Sequence, residues 1–323
     1  MKTPKKSKIP KLPKFIETKI YKTGQTRGAD DDVIYQNRVG RNSTVLIPYE
    51  FYDACLDGMS EAFENGFIVL IDPEKYFTLP DFQTHLKSQK LIIGKNALLL
   101  YETRSQWEKY NPISQELIPA TSRVSPLGGQ FISRVASTTS EAKNRENHGF
   151  TTTGLKGAGI RVYEYAPKKT IDQCRIQLEY LFWSCYDSID RCVAFGLEHK
   201  DVIARKACNA TSAEKEGLDC KEMLLKKRMI DVDNHTVCPL CLEKLSSQGF
   251  FDKVAQAEGR SVHDLTVTQI NLFHIQELRI GQYNHTTYNL GWGHHHCNVV
   301  VKDAGIQETL DWMAGVLERN SHL

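Results

Sequence analysis

Two short cysteine and histidine motifs place the strongest constraint on how this chain folds. Cys238 and Cys241 form a C-x-x-C motif, and three successive histidines at 294–296 lead into Cys297, which gives an H-x-x-C motif. Three thiolates and one imidazole complete a tetrahedral zinc site. The 52 residues between Cys241 and His294 are too many for one short zinc finger, so the zinc would join the two ends of a larger motif.

Two points about this zinc site stay open at the level of sequence. A redox-active C-x-x-C pair is the alternative, but its usual β-α-β context is missing. The imidazole ligand is one of His294, His295 and His296, and the two-residue gap to Cys297 favours His294.

Three dipeptides fall within this zinc-bounded segment. A His-Ile pair begins at His274, an Asn-Leu pair begins at Asn289 fifteen residues later, and a Cys-Asn pair ends at Asn298 nine residues further on. This pattern, together with the two ligand pairs, resembles the HNH, or ββα-metal, nuclease family. The resemblance covers about the last 90 residues.

The resemblance implies a role for each of these residues. His274 would be the general base, Asn289 would hold the loop and orient that histidine, and Asn298 would give an oxygen to a catalytic metal. Phosphodiester hydrolysis needs a base for water and a cation for the developing charge, and a neutral imidazole with a pKa of about 7 suits the first task. Mg²⁺ suits an oxygen-lined site. A zinc with four protein ligands would be structural only.

One position departs from the family pattern. Members usually have Asp or His directly before the catalytic histidine as a metal ligand, whereas this chain has Phe273. Phenylalanine cannot coordinate, so either fewer protein groups hold the metal or Glu277, Asn284 or His285 substitutes. A zinc-stabilised binding module without catalysis is the alternative.

Length, composition and charge set the remaining limits. A chain of 323 residues predicts two domains, and no apolar run approaches the roughly 18 residues of a membrane span. The N-terminus has no signal-peptide pattern, so we expect a cytoplasmic protein whose nine cysteines are reduced. Residues 1–28 carry eight Lys and one Arg against one Glu. This segment would be an electrostatic arm for nucleic acid, or else a solvated tail.

The sequence predicts an α+β protein in four parts: a basic arm (1–28), a mixed α/β DNA-recognition domain (29–169), a helical connector (170–230) and a zinc-bound HNH nuclease domain (231–323). Expected strands in the second part are Thr44–Pro48, Phe67–Ile71, Ala97–Tyr101 and Ile160–Tyr165. Residues 119–158 are rich in Ser, Thr, Gly, Asn and Arg, which favours a long loop. Residues 305–320 have the pattern of an amphipathic closing helix. In the connector, a helical period predicts a core face with Ile171, Cys174, Leu178, Leu181, Phe182, Cys185, Ile189 and Cys192.

The residues ahead of the HNH segment are suited to reading DNA. Arg reads guanine, Asn reads adenine, and Lys positions phosphates. The whole chain is similar to a type II restriction endonuclease of the HNH class, which would act on double-stranded DNA as a homodimer with a palindromic or interrupted-palindromic target. A homing or repair nuclease and a zinc-dependent DNA-binding regulator are the alternatives. The candidate DNA-contacting residues are Lys22, Arg27, Arg38, Arg41, Asn42, Arg123, Arg134 and Arg145.

Overall fold

The computed structural model describes residues 10–21, 44–59, 63–122, 124–135, 146–148, 160–252, 268–301 and 305–321. They fall into two compact units. Unit 1 is drawn from Met1–Thr23, Lys168–Leu278 and Asn284–Leu323, and unit 2 from Gly24–Pro167 and Arg279–Tyr283.

The described residues form eight strands and eleven α-helices. The strands are β1 (Val45–Pro48), β2 (Phe67–Ile71), β3 (Ala97–Tyr101), β4 (Phe131–Val135), β5 (Glu146–His148), β6 (Ile160–Arg161), β7 (Ile270–His274) and β8 (Leu290–His294). The helices are α1 (Lys14–Tyr21), α2 (Tyr52–Met59), α3 (Pro73–Thr78), α4 (Phe82–Ser88), α5 (Arg104–Lys109), α6 (Lys168–Trp183), α7 (Ser188–Ala194), α8 (His199–Lys215), α9 (Lys221–Lys226), α10 (His295–Val301) and α11 (Ile306–Arg319).

Unit 2 is built on a sheet with the strand order β5-β4-β3-β2-β1-β6 among its described residues. All neighbours are parallel except β4 and β5, which are antiparallel. Alternate residues of the central strands enter separate core clusters: Val69 and Ile71 join one, and Ile68 and Leu70 the other. Both faces of the sheet are therefore covered, as the continuous apolar runs of these strands require.

The structure confirms strands at three of the four predicted places, β1, β2 and β3, and shortens the fourth. Only Ile160–Arg161 of the predicted Ile160–Tyr165 pairs with β1, because the chain turns into a short 3₁₀ helix at Val162–Glu164. The prediction of a long loop over 119–158 is wrong in part, since this segment contains β4 and β5. The described polar residue Ser133 is fully buried in β4, where the sheet backbone pairs on both sides.

Unit 1 packs its helices around the β7–β8 pair. The helical region predicted after Thr170 is confirmed as four helices, and α11 confirms the closing helix. Its core contains buried aromatic rings that meet edge to face: Phe182 contacts Phe250 at 5.3 Å, and Phe250 contacts Trp292 at 4.9 Å between ring centroids. Of the predicted core face, Ile189 is partly buried and the others are buried: Ile171, Cys174, Leu178, Leu181, Phe182, Cys185 and Cys192.

The described part of the basic N-terminal segment contributes to the core of unit 1. Leu12, Ile16 and Ile20 are at most 6% exposed. The Arg205 guanidinium anchors the same segment, since it donates to the Pro10 carbonyl at 3.2 Å while pairing with Glu179 at 2.5 Å. Deleting residues 1–14 would therefore remove a core side chain as well as lysines. Among the described residues, no helix has both the length and the apolar character needed to cross a bilayer.

Candidate metal centre and active site

The first cysteine pair lies on a tight turn that the backbone fixes. The Leu242 amide donates to the Cys238 carbonyl at 2.8 Å, and the Cys238 amide donates to the Glu243 carbonyl at 2.9 Å. The Arg228 guanidinium donates to the carbonyls of Pro239 and Leu240 at 2.6 and 3.1 Å. These bonds fix the turn that carries the two thiols of the pair.

The second pair completes the cluster from the end of β8 and the first turn of α10. The ligand atoms of Cys238, Cys241, His294 and Cys297 all lie within 4.8 Å of one another, and the Cys241 Sγ to His294 Nδ1 distance is 3.4 Å. The structure thus brings together the four predicted residues, with His294 supplying the imidazole.

The two histidines that follow His294 point elsewhere. His295 Nδ1 lies 3.1 Å from the side-chain nitrogen Nδ2 of Asn271. The exposed His296 ring stacks on His294 with 5.1 Å between ring centroids. Neither belongs to the cluster of ligand atoms. Of these three histidines, His294 is the one whose ring nitrogen lies with the three thiols.

The chemistry of this donor set fits Zn²⁺. Burial, and then the neighbouring thiols of Cys238 and Cys241, raise the pKa of the Cys297 thiol. Three thiols at such close quarters ionise together only beside a cation, and a soft site of three sulfurs and one nitrogen is a typical structural zinc set.

His274 ends β7 and faces a second histidine. Its Nε2 lies 3.3 Å from Nδ1 of His285, and the ring centroids are 5.4 Å apart. Burial, and then His285, lower the pKa of His274 to about 3, and burial lowers the pKa of His285 to about 4. The expected pKa near 7 for His274 is thus corrected downward, since desolvation disfavours the imidazolium. Both rings are neutral at ordinary pH.

Asn289 joins the two segments that carry these histidines. Its Oδ1 accepts from the Gln276 amide at 2.6 Å, while its Nδ2 donates to the carbonyls of Gln276 and Asn284 at 3.1 and 2.7 Å. Gln276 is two residues from His274, and Asn284 directly precedes His285. The buried Asn289 side chain therefore fixes the spacing between the two imidazoles.

α6 holds Asn289 in turn. Tyr288 has a positive φ of 58°, and its amide donates to Gln177 Oε1 at 2.7 Å. The indole of Trp292 donates to the Leu178 carbonyl of the same helix at 2.8 Å. Two residues of one helix thus hold the chain just before β8 and at its middle.

Asn298 has a side-chain oxygen that could bind a catalytic metal, whereas Phe273 has no donor atom. Asn298, in α10, is half-buried and donates to the Leu272 carbonyl at 3.3 Å. Phe273 is fully buried, and a Cβ on Gly293 would lie 2.5 Å from its ring. Phe273 is therefore a core residue packed over a glycine.

The three possible substitutes for the missing ligand have different surroundings. The Glu277 carbonyl accepts from Asn284 Nδ2, and Glu277 is half-buried. Asn284 Oδ1 and His285 Nε2 are buried and have no hydrogen-bond partner among the described residues. Sequence reasoning identified His285 only as one of these three, because nothing local links it to His274 eleven residues earlier.

A further cluster contains Asp231, Asp233 and His235. Lys244 Nζ lies 3.1 Å from a carboxylate oxygen of each aspartate. The lysine ammonium contacts both carboxylates and offsets one of their two charges, so we assign no metal to this cluster.

Of the predicted DNA-contacting residues, one falls on a described element. Arg134 lies in β4, opposite Asn147 of β5. The others lie outside the described residues: Lys22, Arg27, Arg38, Arg41, Asn42, Arg123 and Arg145.

Two of three comparisons with known proteins found a similar protein or family. A comparison with curated proteins found no match. A solved chain described as "Crystal structure of a type II restriction endonuclease" is similar over 52% of this chain at 16% identity, with a TM-score of 0.28. The similarity covers 60% of that chain, less than two thirds of its length. The family model described as "BstXI restriction endonuclease" matches residues 18–295, which is most of the sequence. The chain therefore belongs to the BstXI restriction endonuclease family.

Proposed function

We propose that this protein is a type II restriction endonuclease that cuts double-stranded DNA with an HNH active site in unit 1. Family membership supports a sequence-specific DNA endonuclease. The observation that carries the HNH assignment is the Asn289 clamp, which holds His274 at the end of a strand pair whose other end enters a Cys/His cluster. The two antiparallel strands and α10 follow in ββα order.

His274 would act as the general base. Its neutral imidazole accepts a proton from water, the water oxygen forms a bond to phosphorus, and the bond from phosphorus to the 3′ oxygen breaks. The 3′ oxygen then takes a proton from solvent. A bound Mg²⁺ would stabilise the negative charge on the phosphoryl and leaving oxygens. Asn298 would hold this ion with an oxygen of Glu277 or Asn284, which are oxygen donors of the kind that Mg²⁺ prefers.

Zinc in the Cys/His cluster would be structural. Cys238, Cys241, His294 and Cys297 would supply all four ligands of a tetrahedral zinc, which would leave no position for water or substrate. The cluster joins the turn at Cys238 to the end of β8, so zinc would stabilise the strand pair that carries His274.

Sequence recognition would come from the region ahead of α6. The candidate arginines and Asn42 are suited to base edges, and the lysine-rich N-terminus to phosphates. The chain has one HNH constellation, so two protomers related by a two-fold axis would cut the two strands. Light scattering of the protein with and without a short duplex tests this: a monomer in both samples, with nicked products only, would refute the dimer.

The test of function is cleavage of phage DNA by purified protein with Mg²⁺. Discrete fragments are expected from the wild type. His274→Ala should cut about 10² to 10⁴ times more slowly while still binding DNA, because a general base acts mainly on the chemical step. His199→Ala, at an exposed histidine of α8, is the matched control and should cut normally. A smear or nicks would favour a repair or homing enzyme, and shifted but intact DNA a binding protein. Undiminished cleavage by His274→Ala would remove it from the mechanism.

A further inference from the structure

The contact between His274 and His285 restricts the protonation of both rings. A neutral imidazole carries one N–H and one nitrogen lone pair. His274 Nε2 and His285 Nδ1 lie 3.3 Å apart, so one of them donates and the other accepts. Which one donates decides which nitrogen of His274 is left for chemistry.

Only one of the two arrangements leaves His274 able to act as a base. If His285 Nδ1–H donated, His274 Nε2 would accept, and the proton of His274 would sit on Nδ1. Neither nitrogen of His274 would then have a free lone pair. If His274 Nε2–H donates, its Nδ1 keeps a lone pair and can accept the proton of water. The second arrangement also gives His285 the role of the third group that orients the base.

We infer that His285 is a positioning residue: its Nδ1 accepts from Nε2–H of His274 and so keeps Nδ1 of His274 as the basic nitrogen. This inference rests on the proposed nuclease function. Two observations support it besides the distance. His285 is fully buried, so water does not compete for its Nδ1, and the Asn289 clamp fixes the segments on both sides of the contact.

The same arrangement removes His285 from the substitutes for the missing metal ligand. With Nδ1 engaged as the acceptor, the proton of His285 sits on Nε2, which then has no lone pair for a cation. Glu277 and Asn284 remain, and both offer oxygen. The loss of His285 should therefore slow the reaction without changing the Mg²⁺ requirement.

Nitrogen NMR of the zinc-loaded full chain, labelled with ¹⁵N-histidine, tests the tautomer without any activity. The His274 signals are identified as those lost in His274→Asn, and exposed His199 serves as the reference for a histidine outside the pair. We expect a protonated Nε2 and an unprotonated Nδ1 for His274. A protonated Nδ1 would overturn the inference. This readout stands even if the wild type cuts no DNA, so it separates a failure of this inference from a failure of the proposed function.

Kinetics of two variants test the role. His285→Leu removes the acceptor and should lower kcat about 10- to 100-fold, the usual effect of losing an orienting partner, with little change in KM. His285→Asn places a carbonyl oxygen near the position of Nδ1 and should recover most of that loss. Circular dichroism and zinc content verify that both variants fold. Equal losses in two folded variants, or a raised half-saturating Mg²⁺ concentration, would contradict the positioning role.

Discussion

The hydrogen bonds of Asn289 allow a stability prediction of definite size. The side chain is 3% exposed and makes three bonds, so Asn289→Ala leaves the Gln276 amide and the carbonyls of Gln276 and Asn284 without their partner. A buried polar group that loses its partner costs about 1 to 3 kcal/mol. Because three such groups are affected and some would regain water, we expect the free energy of unfolding to fall by about 3 kcal/mol.

Asn289→Asp separates hydrogen bonding from the filling of space. Aspartate has nearly the same shape and keeps the acceptor for the Gln276 amide. It replaces the donor with an oxygen that would face two carbonyl oxygens at the present 2.7 and 3.1 Å. We therefore expect Asn289→Asp to lose at least as much stability as Asn289→Ala, since a buried carboxylate without a donor is costly.

Urea unfolding of the zinc-loaded full chain, followed by tryptophan fluorescence, measures both variants. Trp292 is buried in the same unit and reports on it directly. Asn320→Ala is the matched control, since its exposed side chain makes one hydrogen bond, to the Val316 carbonyl at 2.9 Å, and should change stability by about 0.5 kcal/mol or less. A loss below about 1 kcal/mol in Asn289→Ala, or wild-type stability in Asn289→Asp, would refute the clamp.

Three further predictions concern metal, pH and DNA. Metal analysis should return one zinc per chain. Cys297→Ala should lose the zinc and unfold unit 1, since structural zinc contributes about 10 to 16 kcal/mol of apparent binding energy. A folded chain without zinc would contradict this prediction. The pKa values of His274 and His285, about 3 and about 4, lie below the ordinary 6.5, so the unfolded chain binds protons more tightly and stability falls as pH drops below 6.5. Between pH 7 and pH 5 each histidine should cost about 2 kcal/mol, and urea titrations should show a smaller loss in His285→Leu than in the wild type. Deleting residues 1–9 removes four lysines and keeps Leu12, and it should weaken binding to all DNA sequences alike. The slope of the logarithm of the binding constant against the logarithm of salt concentration should become shallower by about 0.9 per lost phosphate contact. Unaltered binding would make the segment a solvated tail.

Local patterns in the sequence predicted which four cysteine and histidine side chains the structure brings together. Zinc ligands come in pairs with short fixed spacings, so Cys238, Cys241, His294 and Cys297 can be identified before the fold is known. The strands β1, β2 and β3 were also predictable, because each is a short apolar run bounded by polar residues.

Contacts between distant segments were not predictable in the same way. β4 was missed because Ser133 and Arg134 interrupt its apolar pattern within a polar stretch. α1 joins the core of unit 1 through Ile16 and Ile20. It contacts α6, which begins about 150 residues later in the chain. Likewise, neither the spacing nor the composition of the segment indicated that His285 faces His274, since this contact depends on the three bonds of Asn289.

These contacts link the Cys/His cluster to His274 through the β7–β8 pair. β8 is held at its end by the Cys/His cluster through His294, and just before its start by α6 through Gln177. Its antiparallel register transmits both restraints to β7, because Ile270 pairs with His294 and His274 pairs with Leu290. A change at either end of β8 would shift the strand that carries His274, so zinc bound at the Cys/His cluster would influence the position of His274 without touching it. Phe273 pairs with Gly291 and its ring packs on Gly293, and this favours a single register, since a one-residue slip would place Phe273 opposite Leu290 or Trp292, which carry a Cβ.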